Sequence, residues 1–395
     1  MANETDALVV RVQGLKRQGD AHLQAGAYEE AVASYRGALE IASEYPAAEN
    51  NLGIAYLALD RYDEAQQVFQ GMFLRQRAVP QSRLAAFSPG FVPEGPLPPA
   101  FATTFKLADR IDQLAYLIQL GRVSPSFSCL IDLYRALLAQ LESNPNRGPS
   151  TRLSEEQVRA FGGYYDKVIY YTDTPALAGP AINQALDFAA LEQQFAVAPI
   201  VTIDDLLSEE ALAGLRRFLL ESTVFFTHSP ANFVGSYMAD GFSCSLIFQL
   251  AAELRQRLPH VLEDRPLSNI WAYRYDSRSD GVRAHFDEGS VTINFWITAD
   301  SANQTMEGHG GLVMYDRESS PDWDWSVNVY KDDPEVQARM AAYLAEAKQV
   351  VAPYRCNRAV MFKSTLLHKS EPFQFRDGFE DRRMNITLLF RARED

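Results

Sequence analysis

The chain has 395 residues, 47% of them hydrophobic, and carries a net charge of −14 from 51 acidic and 37 basic side chains. That length suits two or three domains with real cores, and an acidic balance without any basic run excludes a general binder of nucleic acid or anionic membrane. Three widely spaced cysteines without a CxxC motif read as small buried hydrophobes in a reducing compartment. With no basic-then-apolar leader and no apolar run near the ~20 residues of a membrane helix, a cytoplasmic location is expected.

Internal repetition opens the chain. "GDAHLQAGAYEEAVASYRGALE" from Gly19 and "GIAYLALDRYDEAQQVFQGMF" from Gly53 align at a spacing of 34 residues, matching Gly19 to Gly53, Tyr28 to Tyr62, Ala31 to Ala65 and Tyr35 to Phe69. Small residues at one place and aromatics at another are what closely packed helix pairs need. The pattern resembles the tetratricopeptide repeat, a stacking helix–turn–helix unit, with Pro46 suiting the first turn of the second repeat. Two repeats rarely stand alone, so the helical segments "TTFKLADRIDQLAYLIQLGRV" and "SCLIDLYRALLAQLES" are expected to complete the stack. Pro89–Phe101, rich in Pro and Gly, reads as a connector. The repeats either bind a peptide partner or pack against the second domain or a sister subunit.

Past Ala198 the texture changes. "TIDDLLSEEALAGLRRFLLEST" predicts a helix with Thr202 as N-cap and acids in its first turn, and "SLIFQLAAELRQRLPHVL" a second. After Ser268 come "NIWAYRY", "SVTINFWIT", "GGLVMYD", "QVVAPY", "RAVMFKS", "PFQF" and "RRMNITLLF", short strands in a succession that favours a sandwich or barrel. The expected fold is α+β: repeats over 1–75, a helical extension and linker over 76–197, and a helix-braced jelly roll over 198–395.

Chemistry gathers on this last part. In "AHFDEGSVTINFWIT", His285 and Asp287 stand two residues apart at the mouth of an apolar strand, and i, i+2 side chains share a face. His368 follows just past a later apolar strand, and Arg383 begins the last one. The ordered set His285-x-Asp287, His368, Arg383-x-Asn385 resembles the Fe(II)- and 2-oxoglutarate-dependent dioxygenases on the double-stranded β-helix fold, specifically the prolyl-hydroxylase-like members. Two imidazoles and a carboxylate on one side of an octahedral ion leave adjacent positions open.

The resemblance implies that His285, Asp287 and His368 hold Fe(II). It implies that 2-oxoglutarate and O2 take the open positions, and that Arg383 anchors the distal carboxylate with a fixed, permanently charged fork. Arg383 shares strand parity with Asn385, Thr387 and Leu389, whereas adjacent Arg382 does not. Asn385 stands where relatives have Ser. Tyr275 corresponds to a tyrosine that contacts the cofactor, with Tyr273 as the alternative on the same face. Asn294, inside an apolar strand, needs a partner if buried: cofactor, substrate or a backbone carbonyl.

Relatives that halogenate replace the carboxylate, so Asp287 points to hydroxylation, with desaturation or ring closure open to the same chemistry. The implied act is hydroxylation of an unactivated C–H bond of an amino-acid-type substrate, free or in a peptide, with release of succinate and CO2. A protein hydroxylase whose repeats dock its target, and a non-catalytic scaffold with an inactive barrel, are the alternatives. His309 and His228 read as loop residues, His22 as packing and His260 as a helix-end residue. The acidic, aromatic stretch Asp316–Asp333, with Trp323 and Trp325, reads as a lid or a surface loop.

Overall fold

A computed structural model describes residues 2–87, 99–144, 148–318 and 334–391. The expected connector Pro89–Phe101 and loop Asp316–Asp333 lie largely outside these.

Two helical hairpins come first, α1 (Ala2–Gln24) with α2 (Tyr28–Ile41) and α3 (Pro46–Ala58) with α4 (Tyr62–Arg77). The repeated glycine has a steric cause. A Cβ added to Gly19 would stand 2.6 Å from the Tyr35 ring, and one on Gly53 would stand 2.5 Å from the Phe69 ring. Only a missing side chain lets the paired helices close on those aromatics.

The predicted third unit forms but does not complete the stack. Helices α5 (Thr104–Gln119) and α6 (Ser128–Glu142) form a hairpin with a largely separate apolar cluster running from Val79 to Ile169. The repeats pack on the β-rich part instead. Phe73 of α4 lies 5.6 Å from Tyr171 and 6.3 Å from Phe226, centroid to centroid. Tyr62 lies 6.0 Å from Phe248, and one hydrophobic core runs without interruption from Ala31 to Phe390.

After α7 (Phe188–Val197) the chain enters β1 (Ile200–Ile203), then α8 (Glu209–Glu221). Thr202 is therefore not an N-cap. It lies in β1, paired with Val360, because Ile200, Val201 and Ile203 extend an open sheet edge. Ser208 caps α8, accepting from the amide of Ala211 at 3.2 Å.

The main elements that follow are β2 (Thr227–Ser229), β3 (Phe233–Tyr237), α9 (Ser245–Arg257), β4 (Leu267–Tyr275), β5 (Val291–Trp296), β6 (Leu312–Glu318), α10 (Pro334–Glu346), β7 (Gln349–Ala352), β8 (Ala359–Lys363), β9 (Leu366–Ser370) and β10 (Met384–Phe390). They form an antiparallel seven-stranded sheet, β1-β8-β5-β10-β4-β3-β2, facing a three-stranded sheet, β7-β6-β9. This is the two-sheet jelly roll expected of the sequence, with a helical repeat region before it.

Strand alternation decides which way each residue faces. Ile293, Phe295, Ile386 and Leu388 point to α8 and α9 in the large core. Trp296, Val360 and Phe362 point inward and meet Leu312, Met314 and Leu366 of the smaller sheet. Of the cysteines only Cys244 is buried; Cys129 is exposed and Cys356 half-buried, and none is paired. Among the described residues, no helix is long and apolar enough to cross a membrane.

Candidate metal centre

His285 and Asp287 do not sit on the apolar strand. That strand starts at Val291, and the His-x-Asp segment lies before it, bridged to β9. His285 and His368 exchange backbone hydrogen bonds of 2.9 Å in both directions. His368 follows just past the apolar strand β8, as expected, and itself lies within the next strand, β9. The pairing matters, because a hydrogen-bonded antiparallel pair puts both side chains on one face of the sheet. The two rings stand 4.2 Å apart, centroid to centroid.

Each imidazole is held in the same way. His285 Nδ1 lies 2.9 Å from the carbonyl of Arg283, and His368 Nδ1 lies 3.1 Å from the carbonyl of Leu366. A carbonyl only accepts, so Nδ1 is the donor in each of these contacts, and Nε2 is the ring nitrogen nearest Asp287. Asp287 Oδ1 lies 3.8 Å from His285 Nε2, and its Oδ2 lies 3.6 Å from His368 Nε2. Burial, reinforced by the His285 ring beside it, pushes His368 down to about 4, so its ring is neutral at neutral pH. Among the described residues this is the one cluster of three such groups able to share an ion, all within 4.8 Å of one another. The donor set fits an iron site.

Two residues not anticipated from the sequence fix the carboxylate. The Thr292 hydroxyl donates to Asp287 Oδ2 at 2.8 Å, and the buried Ser364 hydroxyl, 2.9 Å away, donates to Thr292. The backbone of Ser364 also accepts from the amide of Asp287 at 3.2 Å. The available signal was Thr292 sharing strand parity with Asn294 inside an apolar run.

A cavity of about 480 Å³ opens from this cluster, and His285, Asp287, His368, Tyr275, Asn294, Arg383 and Asn385 all line it. Arg383 is 1% exposed, and its guanidinium carbon lies 4.5 Å from the Phe373 ring centre and 5.0 Å from that of Tyr275. Its Nε and one terminal nitrogen find no partner among the described residues, and burial lowers its pKa. Arg382 faces the other way, donating to Asp109 at 2.8 Å and also to Asp112. Thus one arginine is saturated with carboxylates and its neighbour lacks one. A buried guanidinium without a carboxylate is costly, and a planar carboxylate is the kind of group that matches its fork.

Tyr273 sits elsewhere on the wall, its hydroxyl 2.9 Å from that of Tyr237. Asn294 donates to Thr387 Oγ1 at 2.7 Å and Asn385 to the same atom at 3.4 Å. Both side-chain carbonyls lack a donor among the described residues. His309 pairs with Glu371 at 3.0 Å and His228 with Ser150 at 2.9 Å, both away from the cluster. His22 contacts Gln18 at 3.4 Å, and the backbone amide of His260 donates to Glu192 at 2.7 Å.

Residues 22–86 match the family model described as tetratricopeptide repeat. No curated protein matches the chain by sequence. Several solved structures are similar in fold. The non-heme alpha ketoglutarate dependent carbocyclase SnoK from nogalamycin biosynthesis is 14% identical with a TM-score of 0.39, over 54% of this chain and 87% of that one. A Pseudomonas putida prolyl-4-hydroxylase is 16% identical with a TM-score of 0.32, over 52% and 100%. HygX from Streptomyces hygroscopicus, with nickel and 2-oxoglutarate bound, is 11% identical with a TM-score of 0.35, over 53% and 88%. At such scores and identities none of them assigns a role to a residue here; the side-chain geometry above stands by itself.

Proposed function

We propose that this chain is a non-haem Fe(II)- and 2-oxoglutarate-dependent dioxygenase that hydroxylates an unactivated C–H bond of an amino-acid-type substrate, free or within a peptide. The observation that carries this reading is the pairing of two sites in one cavity. A two-histidine, one-carboxylate cluster lies at one place, and a buried guanidinium with unsatisfied donors lies at another. A chelating keto-diacid is the ligand that uses both.

In this reading His285, Asp287 and His368 hold the metal from one side, and Thr292 with Ser364 keeps the Asp287 carboxylate turned toward it. Arg383 receives the distal carboxylate, with Tyr275 beside it. The amides of Asn294 and Asn385 orient the cofactor or the substrate through their open carbonyls. The walls of Phe233, Leu312 and Phe362 keep water from the reacting groups. When bound, Fe(II), 2-oxoglutarate and O2 together supply the oxidant that converts C–H to C–OH, with succinate and CO2 as co-products.

The test is an aerobic incubation of the full chain with Fe(II), 2-oxoglutarate and a panel of amino acids and short peptides. Succinate above the substrate-free background, absent in Asp287→Ala, supports the reading. Absence of any succinate, with or without panel members, removes it in favour of a non-catalytic scaffold.

A further inference from the structure

The cavity has an unexpected wall. Besides the barrel residues it is lined by Ile54 of α3, within the second helical repeat. Helix α3 lies against β4, and at this end the barrel presents Tyr237, Trp271 and Tyr273, whose ring centroids are mutually 6.4 Å apart. Tyr273 lies over Gly235, where an added Cβ would come within 3.0 Å of the ring, so these side chains form a continuous aromatic face.

The repeat pair is fastened in place. Gln66 and Ser245 exchange side-chain hydrogen bonds of 3.0 and 3.2 Å, Asp60 and Arg255 form an ion pair, and Phe73 is buried against Tyr171 and Phe226. A helix held by a shared core does not swing away to admit a ligand at ordinary cost. Ile54 and the aromatic face are therefore fixed parts of one cavity wall that a bound substrate meets.

We infer that the repeat pair forms part of the substrate pocket, with Ile54 a specificity-determining residue selecting substrates that present a flat, apolar group to Tyr237, Trp271 and Tyr273. This rests on the dioxygenase reading and deepens it. Flat groups gain most from a ring-lined face, and the aliphatic side chain on the same cavity limits the room left beside it. A larger residue there narrows that room, and a smaller one widens it.

The experiment uses the full chain loaded with Mn(II), which leaves the keto-acid chemistry silent. Calorimetry measures two probes: N-oxalylglycine, in which NH replaces a methylene of 2-oxoglutarate, and N-oxalylphenylalanine, which adds a benzyl group. The readout is the affinity ratio of the benzyl probe to the unsubstituted one. Ile54→Trp is expected to lower that ratio by about tenfold, and Ile54→Ala, which cannot fail by overpacking, to hold or raise it for bulkier aryl probes. Ratios unchanged in both variants overturn the inference. If the native chain binds neither probe, the dioxygenase reading fails and the inference fails with it. Binding of N-oxalylglycine with unchanged ratios leaves that reading standing and removes Ile54 alone.

Discussion

His285 and His368, 83 residues apart in sequence, are bonded to each other through both backbone groups at 2.9 Å. That bridge makes two distant histidines a single rigid face, and each ring is further tied by its Nδ1 to the carbonyl two residues earlier. The geometry proposed to hold the metal is thus built by sheet pairing.

His285→Ala and Asp287→Ala are each expected to lose metal affinity by more than the roughly 10–100-fold that loss of an outer partner costs, with the far-ultraviolet spectrum unchanged. Calorimetric titration with Co(II) checks this. Native-like affinity in either variant would remove that residue from the ligand set.

Thr292 offers a finer prediction. Thr292→Val keeps the shape but deletes the hydroxyl that holds Asp287 Oδ2 at 2.8 Å. Metal affinity should fall about tenfold or more, and Thr292→Ser should restore most of it. Equal affinity in the valine and serine variants would show that the contact does not position the carboxylate.

The neighbouring arginines should separate cleanly. Arg383→Ala should weaken 2-oxoglutarate binding by about 2–5 kcal/mol, the cost of removing one member of a buried charge pair. It should not lower the melting temperature of the ligand-free chain, because no protein carboxylate loses a partner. Arg382→Ala should leave 2-oxoglutarate binding intact and lower the melting temperature, since Asp109 then keeps Arg274 alone at 2.6 Å and Asp112 loses its partner. Titration calorimetry and thermal unfolding together distinguish the two, and the reverse pattern would invert the facing of the strand.

Deleting residues 1–77 should yield an unstable or aggregating protein. The cut strips the cover from Tyr171, Phe226 and Phe248. Phe73→Ala alone, in the full chain, should cost about 3–5 kcal/mol, read by chemical unfolding. A soluble truncated chain of native stability would make the repeats a detachable docking module.

Much of this was readable in the amino-acid order. The 34-residue period reports a steric requirement, Gly19 under Tyr35 and Gly53 under Phe69, so it survives in the sequence. The parity of Arg383 with Asn385 and Thr387 is fixed by strand alternation and needs no fold to read. Other features depend on long-range pairing. Whether His285 belongs to the apolar strand or to the opposite sheet is decided by β9, more than 80 residues away. Thr202 reads as a cap until the open edge beside β8 claims it. The α10 helix covering Val313, Tyr315 and Leu367, and Ile54 on the cavity wall, carry no local signature, because each is defined by what another element leaves uncovered.

The most direct measurement is anaerobic titration of 2-oxoglutarate into the Fe(II)-loaded chain, followed by calorimetry and by the visible charge-transfer absorption of a keto acid chelated to iron. Saturable one-to-one binding with that absorption in the native chain is predicted. Loss of both signals is predicted in Asp287→Ala, and a marked loss of affinity in Arg383→Ala. Binding that needs neither the metal nor Arg383, or no binding at all, would contradict the account.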